Sequence, residues 1–189
     1  MRLTHTGSVP LRTERLLLRQ FQPEDAPAMF ERWASSPRAT KYLTWPPHDH
    51  LVVTETVLAE WVSYYVQPTF YQWAIVPVGS NLPIGSISVV DRDESAGEVE
   101  IGYVIGPEWW GQGYTAEALV RLVDHFFAEV GVGSVLARCH PENRASSRVM
   151  LKAGMRRLPW DDEPGGQAPA SKSEPEHQYR VTRQMWERR

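Results

Sequence analysis

Apolar positions alternate or recur at helical spacing along most of the chain, and these two periods predict its elements. Thr13 to Gln20 (TERLLLRQ) reads as a strand. Pro23-Glu24-Asp25 then starts a helix through Ala26 to Trp33, because proline fits a first helical turn and acids favour its positive end. Ser35-Ser36-Pro37 stop it. Trp45-Pro46-Pro47-His48 cannot be helical interior, since adjacent prolines remove backbone donors and fix φ. A second helix is expected over about Thr54 to Tyr65. Tyr71, Trp73 and Ile75 alternate with Gln72, Ala74 and Val76 as a strand, and Ile84 to Val90 is a β-rich run after the turn Gly79-Ser80-Asn81. From Glu98 to Ile105, Val99, Ile101, Tyr103 and Ile105 share one face, while Glu98, Glu100, Gly102 and Val104 share the other.

The second half is patterned as clearly. Leu119, Leu122, Val123, Phe126, Phe127 and Val130 form the stripe of a core-facing helix, which Gly131 and Gly133 end. Val135, Ala137 and Cys139 alternate as a strand, and a short helix spans about Ala145 to Lys152. Met155 to Leu158 starts another strand, Asp161 to Glu176 reads as an exposed loop, and Gln178 to Gln184 is a last strand. The order β-α-α-β-β-β-α-β-α-β-β predicts an α/β (α+β) domain with a mixed sheet, because three consecutive strands lack intervening helices.

Composition narrows the function more than the fold. The chain has 189 residues, 42% of them apolar, which favours a single domain over 1–189. Its net charge of −3 argues against a nucleic-acid binder working through a broad basic surface. The one cysteine, Cys139, excludes an intrachain disulfide and alternates with apolar positions as buried filling. No run approaches the roughly 20 apolar residues of a membrane span, and the first ten residues lack the apolar stretch of a secretory signal. A cytoplasmic protein is the expectation. His48-Asp49-His50 invites a metal reading, but no third ligand is signalled, so no metal is expected. Arg180, Arg183, Arg188 and Arg189 read as a solvated basic end, or as a contact for an acidic group.

Glu98 to Ala118 (EVEIGYVIGPEWWGQGYTAEA) carries the chemistry: a strand, a short turn, two glycines separated by one residue, then a helix. Glycines let the backbone turn tightly and bring successive N–H groups to a ligand, and the helix start adds positive partial charge, so the site suits phosphate. Gly111 to Ala116 also fits the loose dinucleotide pattern GxGxxA. That reading wants an apolar first strand and an acid about 20 residues on, whereas this strand carries Glu98 and Glu100 and position 131 is glycine. A third reading has the glycines serving only helix-on-strand packing.

About 25 residues later comes HPENRASSRVMLKAGM, His140 to Met155. With TERLLLRQFQPEDA at Thr13 to Ala26, YLTWPP at Tyr42 to Pro47 and EIGYVIGPEWWGQGYTAEAL, the chain closely resembles the Gcn5-related N-acetyltransferase (GNAT) superfamily from about Thr13 to Trp186. It looks most like the RimJ/RimL-type branch, whose namesakes acetylate N-termini of ribosomal proteins. The resemblance implies a mostly antiparallel twisted sheet splayed between its fourth and fifth strands, with helices on both faces and acetyl-CoA in the gap. The family's pyrophosphate loop, (Q/R)xxGx(G/A), falls on Trp110 to Thr115, with Trp110 and Thr115 departing from the usual types. Gly111, Gln112, Gly113, Tyr114, Thr115 and Ala116 become the phosphate cradle. Tyr103, Val104 and Ile105 would pair their backbone with the pantetheine arm, Asn143 would bond it, and Ser146 would lie near the thioester.

The implied reaction is acetyl transfer from acetyl-CoA to a primary amine, most simply a protein or peptide N-terminus. A small-molecule amine, or a non-catalytic acyl-CoA sensor, stays open, as does a homodimer. Amines are protonated at neutral pH (pKa about 10.4 for lysine, about 7.7–8.0 for an α-amino group), and only the neutral form attacks a thioester. Glu100, matching the glutamate of the family's strand, is the candidate base, or else an exposed structural carboxylate. The N–H of Val104 or Ile105 would hold the oxyanion. Ser146 would protonate the leaving thiolate, or merely support the helix start near Ala145. Trp45 to His50 and Asp161 to Glu176 would border the acceptor.

Overall fold

The computed structural model describes residues 3–159 and 176–188. Its strands are β1 (Leu11–Arg12), β2 (Leu16–Arg19), β3 (Gln72–Pro77), β4 (Gly85–Asp93), β5 (Glu98–Ile105), β6 (Ser134–Cys139), β7 (Arg156–Arg157) and β8 (His177–Thr182). They form one sheet in the order β1-β2-β3-β4-β5-β6-β8-β7. Every neighbouring pair is antiparallel except β5 and β6, which are parallel. A parallel pair needs a crossover, and α4 (Tyr114–His125) supplies it. The other helices are α1 (Ala26–Met29), α2 (Pro37–Thr40), α3 (Leu51–Tyr64), α5 (Arg144–Lys152) and α6 (Arg183–Trp186). None of the described helices is long and apolar enough to cross a membrane.

Strand alternation sorts side chains into two cores. Trp73 and Ile75 of β3 and Val99, Ile101 and Ile105 of β5 join a large cluster with Leu119, Leu122, Val123, Phe126 and Phe127 of α4 and its extension. Ala74 and Val76, from the opposite face of β3, pack with Phe21, Met29, Trp33 and Leu58 around α1 and α3. Each large apolar side chain fully buried in this way contributes about 1.5–3 kcal/mol. The expected stripe from Leu119 to Val130 is buried throughout.

Several local features differ from the periodic reading, each for a physical reason. Ser36 does not simply end a helix: its side chain accepts the Ala39 N–H and caps α2. Both α1 and α4 close in a π-helical turn, Phe30–Ala34 and Phe126–Val130, the second ended by Gly131 at φ +87°. The last strand stops at Thr182, whose side chain caps α6, so Arg183 leaves the sheet. Its guanidinium donates to the Phe127 carbonyl (2.6 Å) and the Val132 carbonyl (3.0 Å) freed where α4 ends. Arg183 is therefore a helix-end contact and not part of a solvated tail. Arg189 and residues 160–175, which include most of the expected acidic loop, lie outside the described residues.

Candidate active site

The parallel ladder between β5 and β6 is only three residues long: Glu98 faces Ser134, Val99 faces Val135 and Glu100 faces Leu136. Beyond it β5 stays with β4 and β6 stays with β8. The sheet therefore opens into a wedge with Glu100 at its apex. On the β4 side, the Gly106 N–H donates to the Ile84 carbonyl (2.9 Å). Antiparallel alternation then pairs Val104 with Ser86 and turns the backbone of Tyr103 and Ile105 toward the wedge. Val104 departs from the expected trio, since its backbone serves β4 and its side chain packs on the α1–α3 core.

At the wide end of the wedge lies the glycine loop. Gly111 and Gly113 have φ of +77° and +85°, a left-handed conformation that favours glycine. Gly113 is the N-cap of α4, and the Glu117 N–H closes the first helical bond on its carbonyl at 3.0 Å. The N–H groups of Tyr114, Thr115 and Ala116 precede that bond, as in any first helical turn, and form an anion-binding end. Gln112 does not reach outward; its Nε2 donates to the Glu108 carbonyl (2.9 Å) and braces the loop. Trp110 donates from Nε1 to the Ile105 carbonyl (3.0 Å), tying the loop to the end of β5.

Two residues that sequence reasoning left without a role hold this loop. Arg15, just before β2, donates from Nη1 to the Gln112 carbonyl (3.0 Å) and from Nε to Glu117 Oε2 (2.7 Å), and its guanidinium lies 4.6 Å from the centre of the Tyr114 ring. Glu117 Oε1 accepts from the Thr13 hydroxyl (2.5 Å) and the Arg15 N–H (3.0 Å). Burial works to raise the Glu117 carboxyl, but the bonds from Thr13 and Arg15 outweigh it and hold it below its ordinary range. Thr13 and Arg15 stood in the TERL run of the resemblance, and that was their only sequence signal.

Inside the wedge, the Tyr103 hydroxyl bridges from β5 to α5. It lies 2.8 Å from Ser146 Oγ and donates to the Ser146 carbonyl at 3.2 Å. Burial raises the Tyr103 phenol well above its ordinary value and also pushes the Cys139 thiol up, so both stay protonated at neutral pH. Asn143 caps α5: its Oδ1 accepts the Ser146 N–H at 3.1 Å. The cap is thus Asn143, and the Ser146 hydroxyl is turned toward Tyr103.

Glu100 shares a face of β5 with Glu98, opposite Tyr103. Its Oε2 lies 3.1 Å from Arg138 Nε, a contact whose N–H is not aimed at the carboxylate. Glu98 meets Arg180 at 3.2 Å and accepts from Ser134. At the mouth, Tyr42 stacks on His140 with ring centres 5.0 Å apart. His48 bonds Thr54 through Nδ1 (2.8 Å), and burial lowers its pKa. Among the described residues no three His, Cys, Asp or Glu side chains gather as a metal site.

A splayed parallel pair beside a glycine-initiated helix is the arrangement expected for GNAT enzymes, and the Acetyltransferase (GNAT) domain family matches residues 15–156. The chain belongs to the GNAT acetyltransferases. It is 32% identical over 145 residues to the uncharacterized N-acetyltransferase YnaD of Bacillus subtilis (strain 168), covering 77% of this chain and 81% of that one. The uncharacterized N-acetyltransferase p20 of Bacillus licheniformis is 29% identical over 140 residues, covering 74% and 78%. Among solved structures, a GNAT-family acetyltransferase from Bacillus anthracis is 26% identical with a TM-score of 0.76, over 93% of this chain and 99% of that one. A Vibrio cholerae protein provisionally named a ribosomal-protein-serine acetyltransferase shares the fold, with a TM-score of 0.78 at 20% identity, over 94% and 99%. GNAT domains use acetyl-CoA and act on amine acceptors, and this chain is an acetyltransferase of that family.

Proposed function

We propose that residues 1–189 act as one domain that transfers the acetyl group of acetyl-CoA to a primary amine in a ternary complex. The observation that carries this is the wedge: a strand side at Tyr103 and Ile105 that no neighbouring strand covers leads into the helix-start N–H groups of Tyr114 to Ala116. An amide-bearing arm and a diphosphate need those two surfaces in that order. Gly111 to Ala116 hold the diphosphate, the backbone of Tyr103 and Ile105 holds the pantetheine, and the Asn143 side chain adds a polar contact at the start of α5. Acetyl-CoA supplies an activated acyl group as a thioester.

The residues divide by face. Glu100, at the apex on the face opposite Tyr103, takes the acceptor's proton directly or through water, a role worth roughly 10²–10⁴ in rate. The Ile105 N–H stabilises the oxyanion. Ser146, backed by the Tyr103 hydroxyl, offers a hydrogen bond to the sulfur as negative charge develops there. The acceptor gives up one N–H proton and the thiol gains one, so the reaction is balanced without metal or redox chemistry. Tyr42, Trp45, His48 and His140 border the acceptor side.

The favoured acceptor is a protein or peptide N-terminus, in line with the RimJ/RimL-like motifs and with the name of the Vibrio cholerae neighbour; the working compartment is the cytoplasm. Thiol release from acetyl-CoA is measured with peptides beginning Ala, Ser or Met, then with polyamines, amino acids and aminoglycosides. Peptide-dependent release supports the reading. Release with small amines alone moves the acceptor class, and CoA binding without release by any amine makes the protein a sensor.

A further inference from the structure

The glycine loop is braced at its β5 end by Trp110 on the Ile105 carbonyl and by Gln112 on the Glu108 carbonyl. Gly111 and Gly113 adopt left-handed conformations, glycine loses more freedom on folding than any other residue, and the N-cap of α4 has no side chain to accept the first N–H groups. Its other end, where α4 starts, is fixed from the amino-terminal part of the chain. The turn between β1 and β2 is closed by the Thr13 N–H on the Leu16 carbonyl (2.9 Å) and the Leu16 N–H on Thr13 Oγ1 (2.8 Å). From that turn Thr13 and Arg15 take up both oxygens of Glu117, while Arg15 also holds Gln112 and covers Tyr114.

Glu117 sits at an awkward place for a diphosphate site. It lies in the first turn of α4, its carboxylate directed back toward the loop where Arg15 Nη2 meets it at 2.6 Å. Unmasked, that carboxylate would compete for the helix-start N–H groups and repel an incoming anion. Arg15 removes both problems, and Nη2 lies only 3.5 Å from where a Cβ on Gly113 would stand.

We propose that Arg15 and Glu117 are a positioning pair for the phosphate loop: Arg15 masks Glu117 and fixes Gln112 to Tyr114, acting on the CoA diphosphate through them and not by contact. The inference rests on the CoA reading above. Its test is calorimetric titration of CoA into four proteins, the parent, Arg15→Gln, Glu117→Gln and the double variant, with thermal melting of each alongside. In Arg15→Gln the carboxylate keeps the Thr13 hydroxyl and the residue-15 N–H but loses its countercharge, and the Kd rises about tenfold or more, the size of one charge-assisted contact. Glu117→Gln alone changes the Kd by less than about threefold, and adding it to Arg15→Gln restores binding by at least about threefold. That restoration separates masking from the alternatives. A direct Arg15–phosphate contact leaves the double variant as weak as Arg15→Gln and overturns the proposal. A lower melting temperature with unchanged Kd in folded Arg15→Gln overturns it as well, since the clamp is then only structural. A parent protein that binds no CoA refutes the cosubstrate reading itself; a parent that binds while Arg15→Gln binds equally well refutes the pair alone.

Discussion

Glu100→Gln separates chemistry from architecture at the wedge apex. The carboxylate has 14% of its side-chain surface exposed and lies 3.1 Å from Arg138, whose side chain is 21% exposed, so the pair is more sheltered than a surface salt bridge. Glutamine keeps the shape and an acceptor oxygen but loses the charge. Between the about 0–1 kcal/mol of exposed pairs and the roughly 3–5 kcal/mol of breaking buried ones, a loss of about 1–3 kcal/mol is expected. For a chain of this length that lowers the melting temperature by roughly 2–12 °C. If Glu100 is the base, kcat falls independently by about 10²-fold or more, equivalent to about 2.7 kcal/mol of barrier. The comparison is Arg138→Gln, which breaks the same pair but spares the carboxylate. Steady-state thiol release is measured from pH 6 to 10, well below both melting points, with the best acceptor from the amine panel. Glu100→Gln should lose kcat with little change in acetyl-CoA affinity, and the loss should shrink as pH approaches the acceptor's own pKa. Arg138→Gln should lose stability and keep kcat within a few-fold. Parallel pH profiles for parent and Glu100→Gln, or equal kcat losses in the two variants, would refute the base assignment.

Three further outcomes follow from the geometry. Gly113→Val places a β-branched residue at φ +85° beside Arg15, so calorimetry should show CoA binding weakened by tenfold or more in a protein that still melts cooperatively, with NAD not bound by parent or variant. Asn143→Ala removes the cap of α5 and should cost about 1 kcal/mol by denaturant unfolding as well as weakening acetyl-CoA binding, whereas Asn143→Ser should restore the stability without restoring full affinity. His125 is buried, accepts or donates a 3.0 Å bond with Thr6, and has its pKa lowered by burial and then by Arg121, with Glu129 opposing. The unfolded chain therefore binds more protons there, so its contribution is full above about pH 6.5 and is lost as pH falls below it; His125→Gln should flatten that part of the pH–stability curve.

Long periodic segments were legible because one face of each is buried. The α4 stripe and the two faces of β5 lie where their spacing puts them, and the wedge was legible through the resemblance and not through periodicity. What the residues did not announce was set by contacts distant in sequence. Arg15 reaches Glu117 over 102 positions, and no local pattern marks that. The two-residue strand Leu11–Arg12 is too short to show a period. Ser36 reads as a breaker and Thr182 as strand interior in one dimension, but both are caps, because a hydroxyl that ends one element starts the next. Among the expected site residues, Asn143, Ser146, Tyr103 and the Gly111–Ala116 loop converge on the wedge, while Val104 turns away from it because antiparallel hydrogen bonding alternates.

Strand edges are where sheet proteins stick to one another, since unpaired backbone groups template any passing chain. Among the described residues both outer borders are two-residue strands, Leu11–Arg12 and the exposed pair Arg156–Arg157, too short to recruit a neighbour. The long unpaired stretch is instead kept indoors, between β5 and β6. Because the ladder shuts at Glu100 and Leu136, a polypeptide cannot thread through; only something one strand wide with a free end can be seated. The same closure that makes a binding slot thus keeps this stretch of β5 from acting as an open edge.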